Sequence, residues 1–420
     1  MLRFFSLLPL IALSVLTAAP AAAQTTDLST GPAATVDALV AEALSRSPAL
    51  AAARSRLAAA REMEAPASAL PDPTVEAMLQ DAGFPSYTIG SEDMSMAGLE
   101  VRQPLPYPGK RRARAEVARA ETAQREAEVA DLERRIAAEV RSLYARLYAI
   151  DQEQKTLDAA RELVDLLSTT ARARYSAGGG DQENLLKAQL QATRLEEREE
   201  DHHAMRRSLV AELNRWLDRP GDSPLGAVGA LPAVAALSGS WTDRALAGSS
   251  KVRQARAAIA TAERRIAVER LDLKPDLSPL AGLASRGSKG PVLTLRLGIE
   301  LPFWKRQKQE PRIRAAEADL EAARQELRDA EAEVRAQAAR LASDWSQADR
   351  QVTRYREGIL PQSSATLDAA RSSYLAGRGD FTTLIEDFNL WLEAREQLAR
   401  READRYTAWA GLESLTGGLP

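Results

Sequence analysis

Residues 171–186 read ARARYSAGGGDQENLL and residues 370–385 read ARSSYLAGRGDFTTLI. Ala171, Tyr175, Ala177, Gly178, Gly180, Asp181 and Leu185 match Ala370, Tyr374, Ala376, Gly377, Gly379, Asp380 and Leu384, at an offset of 199. A Gly-rich break followed by Asp suits a turn between two helices, with Asp181 and Asp380 at N-cap positions where a carboxylate accepts orphan backbone N–H groups. Arg174, Glu183, Arg378 and Glu386 add charge around the two breaks. The chemistry on offer is ion pairing and capping rather than bond making.

Other constellations are weaker. His202 and His203 are adjacent on an expected helix, about 100° apart, so they cannot chelate one metal together and read as surface residues. Met94 and Met96 offer two soft thioethers, too few for a firm metal site. Gly178 to Gly180 is not followed by Lys-Ser/Thr, so a phosphate cradle is not supported. Lys110-Arg111-Arg112 reads as a helix start near a membrane or an equatorial surface. No Ser/His/Asp triad or catalytic carboxylate pair stands out. Neither an enzyme nor a resident metal or cofactor is expected.

Composition narrows the classes. The 420 residues contain no Cys, which excludes disulfides, thiolate metal sites and a lipidated N-terminal Cys. A net charge of -3 argues against a nucleic-acid binder. Arg3, the apolar run Phe4 to Leu16 and the small residues Ala21 to Ala23 read as a secretory signal peptide over residues 1–23.

The elements that must position the two breaks are written twice. AEVRSLYARL at 138–147 matches AEVRAQAARL at 332–341, SPALAAAR at 47–54 matches SSKVRQAR at 249–256, and Leu105-Pro106-Tyr107 matches Leu301-Pro302-Phe303. Four ordered matches imply a tandem duplication. The first repeat, 24–220, is expected to hold a helix over Val36–Glu64, a hairpin at 74–105, a long helix at 111–175 and a helix at 182–217. A linker at 221–241 precedes the second repeat, 242–420, with a helix over Thr242–Leu271, a hairpin at 276–301, a long helix at 312–374 and a helix at 382–415.

Leu320, Leu327, Val334 and Leu341 recur every seven residues, and Val129, Leu132, Ile136, Val140, Leu143, Leu147 and Ile150 alternate steps of three and four. This is a coiled-coil seam. The opening and closing helices of each repeat together equal the long one, so stacked end to end they run beside it, forming a rod. In the strands, Leu293, Leu295, Leu297 and Ile299 alternate with Thr294, Arg296 and Gly298. An apolar and a polar face suit either a small soluble sheet or a membrane β-barrel. A barrel must close, and four strands cannot, so chains would pool them; three chains give twelve.

These features resemble the TolC family of outer-membrane efflux proteins, through the leader, the doubled helix–hairpin–long-helix plan and the paired Tyr-x-Ala-Gly-x-Gly-Asp segments. The resemblance implies a mainly α fold with a tandem-duplicated α-barrel, four strands per chain contributing to a twelve-stranded β-barrel, and a homotrimer. It further implies an exit duct in outer-membrane lipid, partnered by a periplasmic adaptor and an inner-membrane efflux pump. Leu70-Pro71-Asp72-Pro73 and Gln103-Pro104-Leu105-Pro106-Tyr107-Pro108-Gly109-Lys110-Arg111 resemble the branch paired with heavy-metal pumps for cobalt, zinc and cadmium or copper and silver. Many of those relatives carry a lipidated Cys; this chain would be held by its barrel alone.

In the family the Tyr-x-x-Gly segments form the turns at the periplasmic tip. By matching position, the candidate gate and adaptor-contact residues are Arg174, Tyr175, Gly178, Asp181 and Glu183 in the first turn. In the second they are Tyr374, Gly377, Arg378, Asp380 and Glu386. Gly179 stands where the second turn has Arg378, so the two tips are not equivalent. A periplasmic coiled-coil adaptor or scaffold and a type I secretion exit duct remain alternative readings.

Overall fold

The computed structural model describes residues 35–178, 181–234 and 239–418. The expected leader at 1–23 lies outside the described residues, as do Gly179 and Gly180. The first half contains α1 (Val36–Arg46), α2 (Pro48–Glu62), α3 (Glu64–Ser68), β1 (Thr74–Gln80), β2 (Met96–Arg102), α4 (Lys110–Ser176) and α5 (Gln182–Trp216). The second contains α6 (Trp241–Gly248), α7 (Ser250–Leu271), β3 (Asp276–Ser285), β4 (Pro291–Glu300), α8 (Gln309–Arg354), a π turn (Tyr355–Ile359), α9 (Leu360–Leu375) and α10 (Phe381–Thr416).

α4 runs for 67 residues, which at 1.5 Å per residue makes a rod of about 100 Å. It starts where Gly109 takes φ 102°, after Pro106 and Pro108 have held the chain extended. Its buried stripe passes through Ile136, Val140, Leu143, Leu147, Leu157, Val164, Leu167 and Ala171, the three-four-seven spacing of a seam. α1, α2 and α3 pack on the strand-proximal part of α4, and α5 packs on the rest; α6, α7 and α10 cover α8 in the same way. α4 also packs against α7 and α10, which joins the two halves side by side.

The expected continuous opening helices are each broken. Ser47 Oγ accepts from Leu50 N–H and Ser249 Oγ from Val252 N–H, both at 3.4 Å, so each Ser caps a new helix in the middle of the expected one. Pro48 fits because the first position of a helix needs no N–H. The first stretch therefore becomes α1, α2 and α3, and the second becomes α6 and α7. The long helix expected at 312–374 starts at Gln309 and holds the π turn just before Pro361. That proline lacks an N–H, so the ladder there cannot continue unchanged. The first hairpin's second strand stops at Arg102, short of Leu105, because Pro104 has no N–H to donate; Leu105 then re-pairs with Leu277 at 2.7 and 3.0 Å.

Where α1 and α5 end, Leu39, Leu50, Ile136, Leu143, Tyr144, Leu147, Val210 and Leu213 form a core that also takes in Leu225 and Val228 of the linker. Buried Asp151 fixes that linker. It accepts from Arg206 Nε at 2.8 Å and from Val228 N–H at 2.9 Å, while Arg206 Nη2 donates to the carbonyls of Leu225 and Gly226 at 3.0 and 3.1 Å.

The strands form one antiparallel sheet in the order β1-β2-β3-β4, with β2 paired to β3 and the outer edges of β1 and β4 open. The register aligns Ala77, Leu99, Leu283 and Leu293 across all four strands, so the apolar residues share one face. Val75, Leu79, Leu99, Val101, Leu283, Leu293, Leu295, Leu297 and Ile299 are all exposed there, Leu295 the most at 72%. The opposite face carries the charges, around buried Leu280 and Ala284: Arg296 meets Glu100 at 3.1 Å and Arg102 meets Glu76 at 3.7 Å. Glu100 fits because a side chain at Gly282 would come within 2.8 Å of its Cγ. A patch this large and apolar belongs in lipid, and two open edges demand neighbouring strands.

Candidate functional site

The two Gly-rich breaks form the end of the rod away from the sheet. Gly178 and Gly377 take φ 74° and 75°, the left-handed conformation that ends a helix and that side chains resist. Their N–H groups bond Tyr175 O and Tyr374 O at 3.0 and 2.9 Å. Beneath the turns a shared core holds Leu157, Val164, Leu167 and Leu195 from the first coil against Leu367, Leu384, Phe388 and Leu392 from the second.

The repeated Tyr residues diverge. Tyr374 is 3% exposed and packs on Phe381 at 5.3 Å, whereas Tyr175 is 46% exposed. The cause is local: Phe381 has Gln182 as its counterpart in the first repeat, which gives Tyr175 no ring to pack on. Arg174 joins the two turns. Its guanidinium lies 4.5 Å above the Tyr374 ring and donates to Tyr374 O at 2.6 Å and Leu375 O at 3.1 Å, satisfying carbonyls at the end of α9. Burial pushes the Tyr374 hydroxyl pKa up.

Capping differs as well. Asp380 accepts from Thr383 N–H at 3.2 Å, whereas Asp181, expected to cap α5 in the same way, makes no side-chain cap bond. Asp181 is left exposed at the tip, as are Glu183, Arg378 and Glu386. Arg378 makes no ion pair among the described residues.

Sequence reasoning overlooked Lys187. It pairs with Glu183 at 2.7 Å and donates to Thr382 Oγ1 at 2.9 Å, linking α5 to α10. The Glu183 hydrogen bond raises its pKa, and Asp380 and Glu386 act in the same direction. The signal was present: Lys187 follows Glu183 by four, the favourable helix order. Its counterpart at the 199 offset is Glu386, so equivalent positions carry opposite charge. Gln191 Nε2 extends the seam to Asn389 Oδ1 at 2.9 Å.

Midway along the rod the surface reading of His202 is overturned. Its Nε2 lies 3.4 Å from buried Glu153 Oε2, in a cluster roofed by two half-exposed arginines: Arg400 grips Glu153 at 2.7 and 3.1 Å and Arg198 meets Glu396 at 3.3 Å. His203, on the adjacent face, is exposed. Among the described residues no group of three His, Cys, Asp or Glu could hold a metal. Met96 lies in β2 and Met94 is exposed beside it.

Burial raises the Glu396 pKa, aided by the nearby Glu153 and opposed by Arg198. A raised carboxylate pKa means that its contribution to stability is complete below about pH 4.5 and is lost as pH rises through the folded value. Glu396→Gln is therefore expected to raise the thermal midpoint at pH 7 by a few degrees and to match wild type near pH 4. An equal midpoint at pH 7 would contradict this.

One chain thus carries two helical hairpins, a short open-edged sheet with one exposed apolar face and a charged tip. The sequence profile described as outer membrane efflux protein matches it twice, over residues 39–216 and 241–418. The chain belongs to the outer membrane efflux protein family. The fold agrees with solved outer-membrane channels. VceC of Vibrio cholerae shares 18% identity over 91% of this chain and 96% of its own, with a TM-score of 0.77. OprN gives 19%, 91%, 90% and 0.78, and CusC 16%, 93%, 96% and 0.76. No curated protein matches.

Membership places the protein in the outer membrane as the exit duct of a tripartite efflux system. The family is one of channels, which in general work as trimers with an adaptor and an inner-membrane pump.

Proposed function

We propose that three copies of this chain pool twelve strands into one barrel in outer-membrane lipid. Their paired helical hairpins continue as a duct whose tip is both the gate and the adaptor-contact surface. Each chain contributes two repeats, 24–220 and 242–420, joined by the linker at 221–241. The chain does no chemistry on its cargo: the duct works by shape, and the inner-membrane pump supplies the energy. The likeness of residues 70–73 and 103–111 to the heavy-metal branch supports metal ions as cargo.

The observation that carries the gate reading is the asymmetry of the tip. Arg174 and Lys187 bind the first turn to the second within one chain, which leaves Tyr175, Asp181, Glu183, Arg378, Asp380 and Glu386 pointing outward around Gly178 and Gly377. Of these, Asp181, Arg378 and Glu386 make no ion pair among the described residues and are available to pair across the three-fold axis, and an adaptor competing for them would open the duct.

Planar-bilayer conductance tests this. Arg378→Ala and Asp380→Ala are expected to keep the trimer intact and raise single-channel conductance severalfold. Arg174→Ala should do the same by releasing the second turn. Wild-type conductance in all three variants would remove the tip as the gate.

A further inference from the structure

The membrane end of the rod is charged against its own helix dipole. A helix N-terminus carries about half a positive charge and favours carboxylates, yet α4 opens Lys110-Arg111-Arg112 with no acid in its first turn. Buried Lys110 is neutralised by Asp276 at 2.9 Å and Asp272 at 3.4 Å. Arg111, Arg112, Arg114 and Arg119 are exposed. Arg112 meets Glu116 at 3.0 Å and Arg111 donates to Ser68 O at 2.7 Å, while Arg114 and Arg119 have no carboxylate partner among the described residues.

The approach to α8 is also cationic, although its first turn holds Glu310. Lys305, Arg306, Lys308, Arg312 and Arg314 are exposed and likewise unpaired among the described residues, beside the single acid Glu310. Residues 110–119 and 305–314 together hold ten cations and two carboxylates, in a chain whose formal net charge is -3.

Five of these cations line grooves. Arg111, Arg112 and Arg119 line one whose wall is Leu70, Leu105 and Tyr107. Arg114 and Arg312 share a second with Arg265, floored by α7 and also lined by the carboxylates Glu269 and Asp319, so the excess of cations is greatest in the first. Their depth is set by the chain itself. Leu295, Leu297 and Ile299 lead down the lipid face to Leu301, then to Phe303 and Trp304, exposed by 79% and 72%, and then at once to Lys305 and Arg306. Hydrocarbon, aromatic girdle and cationic collar follow in the order of a membrane interface.

We infer that this collar binds anionic phospholipid headgroups of the leaflet facing the helices. The guanidinium and ammonium groups hold the phosphate, and the Leu70–Leu105–Tyr107 wall takes the first acyl carbons. Charge complementarity and continuity with the lipid face single out this occupant. The inference rests on the outer-membrane placement and is independent of the gate.

The test uses the full-length channel in nanodiscs of phosphatidylethanolamine, with and without about one-third phosphatidylglycerol. Bound lipid is identified by mass spectrometry of the released complex. Wild type is expected to enrich phosphatidylglycerol severalfold over the bulk composition. About 0.5 M salt should reduce the enrichment, since screening there acts within a few ångström. The fourfold variant Arg114→Gln/Arg119→Gln/Lys305→Gln/Arg306→Gln should bring it to the bulk ratio, each neutralisation weakening headgroup binding about fivefold.

The salt arm needs no variant and decides the matter if the fourfold variant fails to insert. Bulk composition around wild type would overturn the inference. So would displacement of the bound lipid by millimolar inorganic phosphate, which would mark a free-anion site. A variant that alters the cation-to-anion selectivity of the pore while retaining its lipid would place these charges in the lumen and overturn it too.

Discussion

Leu295→Arg is expected to abolish assembly in the outer membrane. Leu295 lies mid-strand in β4 and is the most exposed residue of the apolar face. A charge at the bilayer midplane costs about 2–4 kcal/mol per site, and three-fold symmetry triples it. The neighbouring Thr294→Arg supplies the control, because Thr294 lies on the opposite, polar face, opposite Gly282. Outer-membrane fractionation and heat-modified migration on detergent gels read the result. Loss of heat-resistant trimer should be nearly complete for Leu295→Arg and slight for Thr294→Arg. Equal loss in both would mean that the two faces of the sheet do not see different solvents.

Asp151→Ala is expected to be the most damaging single change in the helical part. Its carboxylate holds Arg206 and the Val228 N–H in a buried site, and Arg206 in turn holds two linker carbonyls. Removing one partner of a buried pair leaves the other charge uncompensated, a loss of about 3–5 kcal/mol. The linker should detach from the core formed by Tyr144, Leu213 and Val228, and limited proteolysis should then cut between residues 221 and 234, where wild type is expected to resist. Asp151→Leu combined with Arg206→Leu should recover much of the loss, because the stranded charge is gone. A single variant with wild-type melting and protease resistance would show that the linker is held by its apolar contacts alone.

Most of the architecture was legible because it is periodic. The spacing of Val129 to Ile150 and of Leu320 to Leu341 admits only long helices with one buried seam, and the alternation over Leu293 to Ile299 admits only a two-faced strand. The helix breaks were legible in principle and went unread: Ser47-Pro48 is a cap followed by a first-position proline, and Ser249 is its counterpart in the second repeat. Apolar periodicity runs straight through such caps, because a new helix can keep the same buried face.

The tip was half legible. Its residue set followed from the duplication, but duplication predicts equivalence. The structure instead buries Tyr374 under Arg174, exposes Tyr175, and leaves Asp181 without the capping bond that Asp380 makes. Those differences come from Phe381 against Gln182 and from Lys187 against Glu386, substitutions whose meaning depends on which helices meet. His202 was misplaced for the same reason. One helix alone gives it a surface position, and only the packing of α5 on α4 sets it against Glu153, beside Arg400 and Glu396 of α10.

The mass of the assembled particle tests the central claim most directly. Four strands with open edges and one lipid face cannot close within a single chain, so native mass spectrometry in detergent should return three chains and no smaller stable species. A monodisperse single chain in detergent, or a protein that stays soluble with no detergent present, would contradict the account.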